Sequence, residues 1–220
     1  MKIKTIIGTV ATVTTIALAT PAYADFYDGA SLPPEKNWQV HLVGSTSGLT
    51  TITKYIPADG NTVSIAAVGE TEGKLHHGLA QGYRFDMPFG DGNYLGILPM
   101  VQGSIGTDAA GVVPTLYTTL IAGKCTVDPR VQTPMTVQYN GEATLDAVVV
   151  GNTIGLQVAD SLRIGPDAQV NFLAPKESLQ VSALLRYDPK GANGNHWMEL
   201  QLGTDTNGNA SSAVQYRINF

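Results

Sequence analysis

One cysteine, Cys125, occurs in 220 residues. An intramolecular disulfide is therefore excluded, and the fold must be held by packing alone. A reactive thiol needs a base or a lowered pKa. The nearest charged residues in sequence are Lys124 and Asp128, with no histidine close by, so Cys125 reads as buried and inert. Charge is scarce, at 14% of residues. After residue 24 no apolar run reaches the roughly 18 residues of a membrane-spanning helix. That excludes such a helix from the mature chain. It does not exclude a transmembrane barrel, whose strands alternate and escape hydropathy. A sustained 3.6-residue apolar stripe is missing too, which removes helical folds.

Motifs of catalysis and metal binding are also lacking. Gly44–Gly48 reads GSTSG; Thr46 stands where a nucleophile elbow needs Ser, no helix follows, and a hairpin turn is expected. His76 and His77, adjacent in a strand, point to opposite faces and cannot easily share one ion. His41 opposes the apolar set of its own strand, which suggests a solvent face. Asp205–Asn209, DTNGN, lacks the spacing and closing glutamate of a calcium loop and reads as a turn. No enzyme, metal site or cofactor is expected.

The start of the chain is informative. Lys2 and Lys4 precede an apolar, Thr-rich segment from Ile6 to Ala19, and Pro21–Ala24 reads PAYA. This is a secretory signal peptide with cleavage after Ala24. The mature chain, 25–220, carries eleven Lys and Arg against eighteen Asp and Glu, a net charge of −7. Such a surface fits neither nucleic acid nor anionic lipid.

Strand signals dominate the remainder. Trp38, Val40 and Leu42 share one strand face, as do Val63, Ile65 and Ala67. Leu179, Val181, Ala183, Leu185 and Tyr187 form a third set, and Met198, Leu200 and Leu202 a fourth. Turn formers separate them, among them Pro57–Asn61 and Phe89–Asn93. The fold class is all-β, a sandwich or a barrel. Pro99, Pro114, Pro134 and Pro175 interrupt apolar runs and belong at edges, bulges or strand starts. The chain ends on an alternating strand in which Val214, Tyr216, Ile218 and Phe220 share a face behind Gly208.

That ending resembles the C-terminal strand of chaperone–usher fimbrial subunits, with Gly208 leading and an aromatic closing the run. Cys125–Leu145, with Val127, Gln132 and Val137, is similar to the early strand of those subunits. Arg186 and Tyr187 match their penultimate strand. The resemblance implies an immunoglobulin-like, pilin-type β-sandwich with an incomplete edge. The fold would be one elaborated domain over 25–220, or a receptor-binding part at 25–122 with a pilin part at 123–220. It implies a structural or adhesive subunit of a surface fimbria. The partners would be a periplasmic chaperone, an outer-membrane usher, neighbouring fimbrial subunits and, for an adhesin, a host receptor. Gly208, Val214, Tyr216, Ile218 and Phe220 would receive the partner strand, and Phe26, Ala30 and Leu32 would form a donor segment. The alternative is a small outer-membrane β-barrel closed by a strand ending in Phe. Against it stand the scattered prolines and 15 mature aromatics with no even placement at strand ends.

Overall fold

A computed structural model describes residues 38–45, 48–57, 61–71, 74–91, 93–105, 109–172, 178–189 and 196–219. Fifteen strand segments lie in one sheet. They are β1 (Trp38–Ser45), β2 (Gly48–Tyr55), β3 (Thr62–Thr71), β4 (Lys74–Tyr83), β5 (Phe85–Phe89), β6 (Asn93–Ile105), β7 (Ala109–Ala122) and β8 (Cys125–Gln132). They continue with β9 (Met135–Gln138), β10 (Ala143–Leu145), β11 (Val148–Ala159), β12 (Leu162–Phe172), β13 (Ser178–Tyr187), β14 (His196–Asp205) and β15 (Ala210–Asn219).

The sheet closes on itself. The last strand, β15, pairs antiparallel with β14 on one side and with β1 on the other, from Gln39 opposite Asn219 to Ser45 opposite Ala213. Three pairs of segments are single strands with an interruption. β4 and β5 meet β6 in one continuous register, Gly82 opposite Met100 and Phe85 opposite Ile97, and the gap falls at Pro99. β8 and β9 likewise share one register against β7, and the gap falls at Pro134. β10 runs into β11 beside them. The result is a closed antiparallel barrel of twelve staves.

Prolines mark the other flaws in the ladder. Register pairing is skipped around Pro129 between β7 and β8, and around Pro166 between β11 and β12. A proline has no N–H to give, so each gap has a chemical cause. Pro99 and Pro114, expected at edges or bulges, instead lie within the two longest strands, β6 and β7. Pro175 lies outside the described residues.

This architecture corrects the sandwich expectation. Two packed sheets with an open margin are not what forms, because the margin is sealed by β1. The stretch at Ala122–Lys124, a possible domain boundary, is the tight turn between β7 and β8, with Gly123 at a left-handed φ of 59°. Asp205–Asn209 is the β14–β15 turn. Its Asp205 carboxylate accepts from the backbone N–H groups of Asn207 and Asn209 and from the Asn209 amide, each at 2.9 Å. Those bonds hold the Asp205 carboxyl below its usual range.

Candidate functional site: a lumen with two kinds of wall

Strand alternation sends successive side chains to the outside and to the bore. Around β11–β15 the outside is apolar. Leu156, Ile164, Leu185, Leu200 and Val214 are aligned across those five strands, and all five are exposed. The inside of the same wall is polar. Asp167, Gln169, Asn171, Ser182, Arg186, Glu199, Gln201, Gln215 and Arg217 are all buried. A water-soluble protein does the reverse. A polar interior inside an apolar, closed wall is the arrangement of a barrel that spans lipid.

The polar wall is cross-linked. Arg130 donates to Asp167 through Nη1 at 2.9 Å and through Nη2 at 3.2 Å, a bidentate pair. Thr153 donates to Asp167 at 2.6 Å, and Gln169 accepts from Arg130 at 3.3 Å. Gln201 donates to Asp167 at 3.2 Å and to Ser182 at 2.7 Å. This network joins β8, β11, β12, β13 and β14. Gly151, paired with Arg130, leaves room for it; a Cβ there would lie 2.6 Å from the guanidinium carbon.

Nearer the rim where the chain termini lie, Arg186 donates to Glu199 through Nε and Nη2 at 3.1 and 2.9 Å. Trp197 is buried between neighbours of like charge: the guanidinium carbons of Arg186 and Arg217 lie 4.5 and 4.7 Å from its ring centroid. In a dry setting each such contact is worth about 2 kcal/mol. The His41 ring meets Trp197 edge-on at 6.0 Å, and its Nδ1 accepts from the Gln215 amide nitrogen at 2.7 Å. Trp197 is 1% exposed and Arg217 0%, so these side chains pack inside the bore and narrow it at their level. A cavity of about 30 Å³, roughly one water in size, remains beside Gln157, Arg163, Arg186 and Asp188.

The opposite wall is lined differently. Val43, Ile52, Ile56, Val63, Ile65, Leu98, Met100 and Tyr117 form one apolar cluster on the inner faces of β1–β3, β6 and β7, with Ala67, Ala80 and Tyr94 packed against it. This side of the lumen is thus largely a hydrocarbon core, with Gln39, His41 and Lys54 buried beside it on β1 and β2, and the other side a polar network. They meet where Gln132 donates to the Tyr117 hydroxyl at 3.3 Å.

Outward aromatics gather at one rim. Trp38 begins β1, Tyr55 and Tyr83 end β2 and β4, Phe85 and Phe89 lie in β5, Tyr187 ends β13, and Tyr216 is near the end of β15. All of these are at the rim of the termini, with Trp38 against Tyr55 and Tyr83 against Phe85 at centroid separations of 4.7 and 4.9 Å. Tyr139 and Phe172 are exposed toward the other rim. An aromatic belt at a membrane–water boundary has this composition.

The expected partner-strand residues take other places. Val214 is 52% exposed on the outer wall, and Tyr216 and Ile218 share that outward face. Tyr216 stacks on His196 and shares a hydrogen bond of 3.2 Å with its Nδ1. Gly208, at a left-handed φ of 80°, serves the β14–β15 turn. Phe220 lies outside the described residues, as do Phe26, Ala30 and Leu32. Because both edges of β15 are hydrogen-bonded within the chain, it offers no groove to a chaperone, an usher or a neighbouring subunit. His41, placed above on a solvent face, is buried in the lumen, because the apolar set of its strand is the outer set. Among the described residues no group of three His, Cys, Asp or Glu is placed to hold a metal ion.

The lumen residues Arg130, Asp167, Trp197, Glu199 and Arg217 escaped the sequence reading, and Arg186 entered it only through the fimbrial resemblance. Their signal was the polar half of each alternating strand, where charges of opposite sign stand two residues apart, as in Asp128 and Arg130 and in Arg186 and Asp188.

Fold and wall polarity together define a membrane-spanning β-barrel of twelve staves. No family model matches the sequence, and no curated protein matches it. Solved structures do. A KdgM porin superposes with a TM-score of 0.63 at 11% identity, covering 84% of this chain and 99% of that one. The same porin in complex with disordered oligogalacturonate gives 0.61 at 11% identity, over 84% and 99%. A NanC porin gives 0.57 at 7% identity, over 83% and 98%. The likeness is one of fold, and it is to porins. The fimbrial resemblance, with its sandwich, its surface fibre and its assembly partners, is therefore set aside; of the alternative, the closed β-barrel is what the fold bears out.

Proposed function

We propose that this chain is exported across the inner membrane and folds over residues 38–219 as a single outer-membrane barrel that acts as a narrow channel for small polar solutes. The signal sequence at 1–24 supports export, and the porin fold of its structural neighbours supports a channel over an enzyme. The observation that carries the reading is the reversed polarity of the β11–β15 wall, apolar outside and hydrogen-bonding inside. The Arg186–Trp197–Arg217 cluster is the constriction. Four buried cations, Lys54, Arg130, Arg186 and Arg217, face four buried acids, Asp128, Asp167, Asp188 and Glu199. A lumen so balanced passes polar solutes with weak preference for charge.

The test is single-channel recording in planar bilayers. The folded protein should give small, brief openings, and Trp197→Ala should enlarge them by removing the aromatic from between the two guanidinium groups. Silence from both proteins, each verified as folded, refutes the channel. The close packing of the lumen favours one second reading, a permanently closed barrel, and that silence would establish it.

A further inference from the structure

The outer wall is not uniform. Across β11–β15 its middle is built from Leu, Ile and Val, as aligned above. The middle of the β2–β4 wall reads otherwise. Thr53 pairs with Ala66, Ala66 with Leu79, and Leu79 with Gly103. The adjoining rows hold Tyr55, Ser64, Gln81 and Val101, and Thr51, Val68 and His77. Hydroxyls and an amide therefore recur outward through the middle of this wall, whereas the β11–β15 wall has only Asn152 and Ser212 among its Leu, Ile, Val and Ala there. Behind them, Ile52, Val63 and Ile65 point inward. This sector is more polar outside and more apolar inside than the β11–β15 wall, and lipid is a poor solvent for its hydroxyls and amide.

We infer that the outer face of β2–β4 is the contact surface of a two-fold homodimer in the membrane. This goes beyond the channel reading and needs only that the barrel sits in lipid. Three features select a second copy. The polar groups of these rows, the hydroxyls of Thr51, Thr53, Tyr55 and Ser64, the amide of Gln81 and the neutral imidazole of His77, can each both donate and accept, so an identical surface can satisfy them. Ser64, Ala66 and Gly103 are small and permit close approach of two walls. The relief also matches itself. Leu79 projects, 70% exposed, beside a groove of about 500 Å³ bordered by Gln81, Pro99, Val101, Pro114 and Leu116. A two-fold axis seats the Leu79 of each copy in the groove of the other. The rows named carry no Lys, Arg, Asp or Glu, so like charges are not brought together.

The test uses the full-length protein with Cys125→Ser, refolded into phosphatidylethanolamine–phosphatidylglycerol vesicles and treated with a short bifunctional maleimide. Ser64→Cys should give a covalent dimer as the main band. Ala183→Cys, on the outward face of β13, should stay monomeric. Thr53→Cys serves as a second probe on the same face, and heat-dependent gel mobility shows which variants have folded. Sedimentation of the unmodified protein in detergent should give twice the monomer mass. The inference is overturned if the Ser64→Cys and Thr53→Cys proteins remain monomeric, if the Ala183→Cys protein cross-links equally, if the dimer vanishes when vesicle lipid is increased at constant protein, or if sedimentation finds a monomer. Loss of conductance with the dimer intact would instead fault the channel reading.

Discussion

The β11–β15 wall and the β2–β4 wall are made by the same rule but divide polar and apolar side chains differently between bore and outer face. In the first, Leu179, Val181, Leu185, Leu200 and Leu202 point outward, and Arg186, Glu199 and Gln201 point inward. In the second, Val63 and Ile65 point inward, and Ser64 and Ala66 outward. Period two decides which side chains travel together, but not which set meets lipid. The difference shows that one barrel can be held by two kinds of interior. One depends on directional pairs, and the other on contact volume.

The largest expected effect tests the directional wall. Arg130→Ala should cost about 3–5 kcal/mol, because Asp167 is left charged and buried. Arg130→Met combined with Asp167→Leu should recover most of it, since two apolar groups replace a matched pair. Urea unfolding from vesicles measures both, and a double variant no better than the single would count against the pair as the main tie. On the other wall, Leu98→Ala should cost about 2–5 kcal/mol by opening a cavity, and Leu98→Met less than about 1.5 kcal/mol. A loss that does not follow side-chain volume would remove the contrast. The smallest effect comes from one substitution made on both walls. Ser182→Val takes the 2.7 Å partner from Gln201 and should cost about 1–3 kcal/mol. Ser64→Val, on an outward face, should change monomer stability by less than about 0.5 kcal/mol. Equal losses would mean that the two walls are not of different kinds.

Much of the strand content was legible. The face shared by Leu179, Val181, Ala183, Leu185 and Tyr187 is one face in the structure, and Val63, Ile65 and Ala67 share another. The assignment of inside and outside was not legible, because a sandwich strand and a lipid-facing strand alternate alike. His41 shows the cost of that ambiguity: the polar side of its strand was taken for the wet side. The final strand misled for a related reason. A strand that closes a barrel and one that awaits a partner both end apolar and aromatic, and only the pairing of Gln39–Ser45 with Ala213–Asn219 separates them. The aromatic belt was invisible because its members fall at the start of β1 and the ends of β2, β4 and β13. They become neighbours only after the chain has reversed direction many times. The lumen network joins residues as far apart in sequence as Arg130 and Gln169, and no local motif could announce it.

The one-sided aromatic rim has a mechanical meaning. A cylinder moored by indole and phenol rings at one boundary has its depth set there. A thinner or thicker bilayer must then be met at the far end, where Tyr139 and Phe172 offer fewer such moorings. Stretching or compressing the membrane should therefore displace the β14–β15 turn relative to the headgroups, while the edge at which β1 begins and β15 ends stays at its level.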